Sequence, residues 1–194
     1  MPAPSVKCTL TLVQAPEIRG LRLGMNLEQA MSIFPSLRRP PEVIELPDGR
    51  RLTRNFLEPD ELGIIRVRIN SLDPKFSSEM SKLEGISSIN FDFMDGHISY
   101  LFVFYDTEAK WNTVDDFALR VSEDLHIPKA WKKPTDYKRD LERDLECEGF
   151  VITVSSDRYP VISMKDLGAE QIVKNRKAEM ERAKEKKNRD DWKP

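Results

Sequence analysis

The sequence predicts an α+β protein in which an antiparallel sheet packs against short amphipathic helices, divisible into two related αβ halves and ending in a charged C-terminal helix. Three observations carry that prediction. The stretch "SSINFDFMDGHISYLFVFYD" alternates like a half-buried hairpin around Asp95-Gly96, a two-residue turn pair. The stretches "NLEQAMSIFP" and "NTVDDFALRVSEDLHIP" place apolar residues at i, i+3, i+4 and i+7 behind a capping residue. The stretches "IIRVRIN" and "FVITVS" alternate apolar and polar residues with period two.

In chain order, "MPAPSVKC" lacks the apolar core of a signal peptide. It reads either as a native cytosolic start or as a Met placed on a mature exported chain. In "PEIRGLRLGMNLEQAMSIFP", Gly24 turns the chain into a helix capped by Asn26, with Gln29 placed to complete a capping box. Leu27, Ala30, Met31 and Phe34 form its apolar stripe, Met25 the staple position, and Pro35 ends it. A phosphate loop would need a longer Gly-rich turn with Lys followed by Ser or Thr, and none follows Gly24, so this turn reads as architecture.

A second Asp-Gly turn lies at Asp48-Gly49, and then Ile65, Val67 and Ile69 alternate with Arg66 and Arg68. In the main hairpin, pairing Met94 with His97 sets Phe93 opposite Ile98, Phe91 opposite Tyr100 and Ile89 opposite Phe102, with Asp92 opposite Ser99. The next helix has Thr113 as cap, Asp116 at the capping-box position and a stripe of Val114, Phe117, Ala118, Val121 and Leu125. Laying Asn26 over Thr113 superposes the two stripes, which points to halves at 1–105 and 106–172. Phe150, Ile152 and Val154 mark a further strand, which "SDRYP" turns into "VISM".

From Asp166 a last helix is expected. Its apolar positions, Leu167, Ile172, Val173 and Met180, thin out along the chain, so residues 1–172 form one domain and 173–194 a charged, partly solvated helix or tail. From Lys174 onward nine Lys/Arg stand against five Asp/Glu, a net of +4 that leaves −6 on the rest of a chain of net −2. The signs are interspersed, Glu181 and Glu185 are spaced for i, i+4 pairing, and no aromatic platform accompanies them. This is a solvated helix rather than a nucleic-acid reader.

No run approaches the ~20 apolar residues of a membrane span, so the chain is expected to be soluble. Two cysteines exclude a four-thiolate metal site. Cys8 and Cys147 have two readings: a disulfide contributing ~4 to 5 kcal/mol in an exported protein, or two reduced buried thiols. The only histidines, His97 at the hairpin turn and His126 at a helix end, sit in no catalytic motif, and no nucleophile elbow, metalloprotease motif, Walker loop or dinucleotide fingerprint occurs. No catalytic residue, metal ligand or cofactor is therefore assigned. The candidate binding residues are Trp111 and Trp131, since Trp is enriched at interface centres. The competing role for Trp131 in "HIPKAWKKP" is a plug beneath its loop.

The segment "LRLGMNLEQAMSIFP" resembles the helix lead-in of the outer-membrane assembly lipoprotein (SmpA/BamE) and β-lactamase inhibitory protein superfamily, through Gly24, Met25, Asn26, Ala30 and Phe34. In that superfamily a short capped helix precedes antiparallel strands. Here Asn26 stands where Thr or Ser is usual, and Pro35 follows Phe34 directly. The resemblance implies a non-catalytic, protein-binding module of the bacterial cell envelope with a protein partner, periplasmic or secreted if a leader has been removed. The alternatives are a cytoplasmic protein, and a hydrolase or metal-dependent enzyme whose site is assembled from dispersed acidic residues.

Overall fold

A computed structural model of the chain describes residues 7–38, 42–45, 51–54, 57–106, 111–134, 140–156 and 159–191. Helix α1 (Leu27–Ile33) starts on the expected capping box. Asn26 Oδ1 accepts from Gln29 N at 2.9 Å, and Gln29 Oε1 accepts from Asn26 N at 2.9 Å. Gly24 has φ +80°, a conformation costly for residues with a Cβ. Its N–H donates to Ile98 O at 2.8 Å while Met25 O accepts from Ile98 N at 2.7 Å, so the turn is tied to a sheet strand.

Strands β1 (Glu42–Glu45) and β2 (Arg51–Arg54) form a separate antiparallel pair, with Asp48-Gly49 between them outside the described residues. The main sheet comprises β3 (Ile64–Asn70), β4 (Ile86–Met94), β5 (His97–Tyr105), β6 (Glu142–Glu146), β7 (Phe150–Ser155) and β8 (Val161–Asp166). Its order is β3-β4-β5-β8-β7-β6, antiparallel throughout. The chain therefore lays down two three-stranded meanders that meet at β5–β8. One follows α1, and the other follows α2 (Val114–Leu125).

The main core lies on one face of the sheet. Leu23, Ala30, Met31 and Phe34 from around α1, and Phe117, Ala118 and Val121 from α2, pack on inward residues including Ile89, Phe91, Leu101, Val103, Ile152 and Ile162. Thr113 caps α2, accepting from Asp116 N at 3.0 Å. Arg143 of β6 forks onto Asp115 in the first turn of α2, at 2.6 and 3.0 Å, fixing helix to sheet. Glu79, 3% exposed, lies in the 3-10 segment Pro74–Lys82 and accepts from Ser36 N and Ser36 Oγ at 2.9 Å and from Ser78 Oγ at 2.5 Å. Burial pushes its carboxyl up, but these donors and Lys82 outweigh burial and hold it below the ordinary value.

The hairpin register differs from uninterrupted pairing. Met94 opposes His97 and Phe93 opposes Ile98 as expected, but a bulge at Ser99 then places Asp92 opposite Tyr100, Phe91 opposite Leu101 and Ile89 opposite Val103. Leu101 and Val103 thereby enter the core, and Tyr100, Phe102 and Phe104 turn to the other face. In "YLFVFY" both parities are apolar, so hydrophobic alternation does not fix the register there.

Helix α3 (Leu167–Asp191) begins directly after β8 and runs unbroken past residue 172. Asp166 Oδ1 caps it, accepting from Gly168 N at 2.8 Å and Ala169 N at 3.1 Å. Ala169 and Val173 join Ile64, Met94 and Leu62 in a small second cluster on the face opposite the main core. Arg176 holds the next turn, bonding Leu62 O at 2.8 Å and both carboxylate oxygens of Asp95 at 2.8 and 3.0 Å. Gly63 lies so close beneath that guanidinium that a Cβ there would stand 2.7 Å from Arg176 Nη1. The helix is exposed over residues 181–189, as the thinning apolar pattern implies.

Candidate binding face

Among the described residues α3 is the only helix packed on the second face of the sheet, and it lies across one end of the strands, from beside β8 to Ile64 of β3. The rest of that face follows from strand alternation and register. Arg66, Asp92, Tyr100, Lys165, Val151 and Glu146 form one row across the six strands. Arg68, Asn90, Phe102, Ser163, Thr153 and Asp144 form the next. The row beyond them contains Phe104, Val161 and Ser155.

The centre of the face is an aromatic file along β5. The Tyr100 and Phe102 rings are 6.0 Å apart, those of Phe102 and Phe104 4.5 Å, and all three are half-buried with Val151 and Val161 beside them. Its two borders carry opposite charge: exposed Arg66 and Arg68 on β3, and Glu142, Asp144 and Glu146 on β6. A hollow of about 300 Å³ lies over Tyr100, Phe102, Thr153 and Ser163. A second, of about 310 Å³, lies where α3 meets the sheet. The two share Tyr100 and Lys165, so they make one groove.

Burial, the nearby Asp92 charge and a hydrogen bond with Ser163 act on Tyr100. Burial and Asp92 prevail, so its hydroxyl stays protonated well into the alkaline range. Asp92 is itself raised, chiefly by burial and further by Asp60, against the pull of Arg66. Beside them the Oδ1 atom of Asn90 is buried with no hydrogen-bond partner. The face thus offers aromatic area, a neutral hydroxyl and under-used acceptors, a chemistry suited to recognition.

Trp131 packs partly buried against the main core, and its Nε1–H donates to Ser122 Oγ at 2.7 Å. Trp111 is 36% exposed, its ring stacked on Phe117 at 5.3 Å. Both therefore contact α2, on the side of the sheet away from the aromatic file. Cys8 and Cys147 form a disulfide, and beside it Glu148 N donates to Leu10 O at 2.9 Å, so the N-terminal segment is fixed to the β6–β7 turn. This bond is consistent with an oxidising, extracytoplasmic compartment.

His97 is exposed with its Nδ1 3.1 Å from Asp95 O, and His126 is an exposed C-cap residue at φ 54°. Among the described residues no group of three or more His, Cys, Asp or Glu is placed to hold a metal ion, and no helix is long and apolar enough to cross a membrane. Uninterrupted alternation from Met94–His97 places Tyr100 and Phe102 on the buried face, so it does not reveal the aromatic file. The signal was the six-residue run "YLFVFY", apolar at both parities. No family model, curated protein or solved structure matches this chain.

Proposed function

We propose that this protein is a non-catalytic protein-binding module that docks its partner on the part of the sheet's second face that α3 leaves open among the described residues. The observation that supports it is the half-buried aromatic file Tyr100, Phe102 and Phe104 at the centre of a face flanked by borders of opposite charge. Aromatic side chains with a polar or charged rim are what stable interfaces enrich. From strand spacing and rise the face measures about 24 by 17 Å, about 400 Å² in plan. That is about half of the ~800 Å² each partner contributes to a standard interface, so the partner extends onto α3 or the sheet borders.

The disulfide and the resemblance of residues 21–35 to the outer-membrane assembly lipoprotein and β-lactamase inhibitory protein superfamily support an envelope location, periplasmic or secreted. Trp111 and Trp131 are secondary candidates for contact, since both lie on the helical side. Replacing Phe102 with Asp tests the reading by affinity co-purification from the native compartment. Loss of the recovered partner with an unchanged circular-dichroism spectrum is expected, and retention of the same partner at the same yield would refute it.

A further inference from the structure

We propose that the cleft between the first turns of α3 and the sheet receives the cationic head of a lysine or arginine side chain presented by the protein partner, with the Asp92 carboxylate as its counter-charge. This rests on reading the open sheet face as the docking surface, because the cleft is one end of that groove.

Ile64, Ala169 and Val173 form an apolar wall, and Tyr100 stands beside Asp92, in a space of about 310 Å³. Such a wall suits the methylene stem of a long basic side chain, whose charged end then reaches the polar side of the cleft.

Most carboxylates around this groove are already satisfied. Asp60 accepts from the backbone of Leu62 and Ile64 and from Arg66. Asp166 caps α3, Asp95 holds Arg176 and Asp144 accepts from Thr153. Asp92 is half-buried on the same face, yet among the described residues no hydrogen bond reaches its carboxylate.

Two cations on the same face, Arg66 and Lys165, each pair with another carboxylate. Arg66, its cross-strand neighbour, pairs with Asp60 at 2.6 Å, and Lys165 lies 3.7 Å from Glu170. A partly desolvated carboxylate without donors is unfavourable, and a cation that supplies N–H groups relieves it. Its raised protonation, caused first by burial, is the same imbalance seen from the proton's side.

The test titrates the whole disulfide-bonded protein with Nα-acetyl-lysine methylamide and Nα-acetyl-arginine methylamide, following the amides of Asp92, Tyr100, Ala169 and Val173 by NMR. Saturable shifts in the millimolar range are expected from one or both, with none from the norleucine analogue, which keeps the stem and lacks the charge. Asp92→Asn should weaken binding about tenfold or more without lowering the melting temperature, because it removes a desolvated charge.

Absence of saturable shifts, equal shifts from norleucine, or full affinity in Asp92→Asn would each overturn the proposal. The norleucine comparison uses the wild-type chain alone, so it does not depend on the variant folding. Failure here with loss of partner still caused by Phe102→Asp would leave the docking face standing. Partner retention in Phe102→Asp would remove the docking face itself.

Discussion

Replacing Cys8 and Cys147 together with Ala opens a cross-link between residues 139 apart in sequence. In the loop-entropy treatment a closed loop of that length restricts the unfolded chain by ~5 kcal/mol, and residual structure in the unfolded state lowers the realised figure toward ~2 kcal/mol. Unfolding a chain of 194 residues carries an entropy of about 0.4 kcal/mol/K near its midpoint. Dividing one by the other gives a melting temperature lower by about 5 to 12 °C. The loss should be concentrated in the unfolded state, since Cys8 leaves a small, already buried site that Ala fills closely. Calorimetry on the oxidised wild type and the double variant is the assay, with alkylation under non-reducing conditions as its companion. A melting temperature within about 1 °C of wild type, or two labelled thiols in protein taken from its native compartment, would show that the cross-link does not stabilise the chain as stated.

Glu79→Gln should cost about 1 to 3 kcal/mol at neutral pH by weakening the bonds from Ser36 and Ser78. The folded value of Glu79 lies below its ordinary 4.5, so its stabilisation is present above that pH and fades as the pH falls through and below it. Urea titrations of wild type and variant should therefore converge in acid, and a gap independent of pH would contradict the assignment. Arg176→Ala removes the fork on Asp95 and the bond to Leu62 O, loosening α3 by ~1 kcal/mol. Hydrogen exchange at 169–176 should speed up about fivefold with the β4 and β5 amides unchanged. Trp131→Phe keeps a ring but deletes the bond to Ser122 Oγ, and should lower the melting temperature by about 2 to 4 °C while partner capture persists. Lost capture at unchanged stability would make Trp131 a contact residue.

Much of this fold was legible because its signals are local. Asn26 and Gln29 form the box their spacing implies, Thr113 caps α2, and Val114, Phe117, Ala118 and Val121 are buried together. Asp95-Gly96 closes the hairpin, and Val67 and Ile69 face inward between arginines. Strand β6 was not legible, because "ERDLE" has one apolar residue, Leu145, and gains its place by pairing with β7. The bulge at Ser99 was hidden because either register buries apolar side chains. The candidate face was hidden with it, since that one-residue slip is what carries Tyr100 and Phe102 away from the core. The two cysteines admitted both redox states in sequence, and only folding brings their Cα atoms to 4.7 Å.

Docking on the sheet face is tested by photo-cross-linking in the native compartment, with a photoreactive residue placed singly at Phe102, Thr153 and Ser163 on that face and at Leu119 on the outer side of α2. A shared partner adduct is expected from the three sheet positions and none from Leu119, which is 45% exposed and free to react. An adduct from Leu119 with none from the sheet would contradict it.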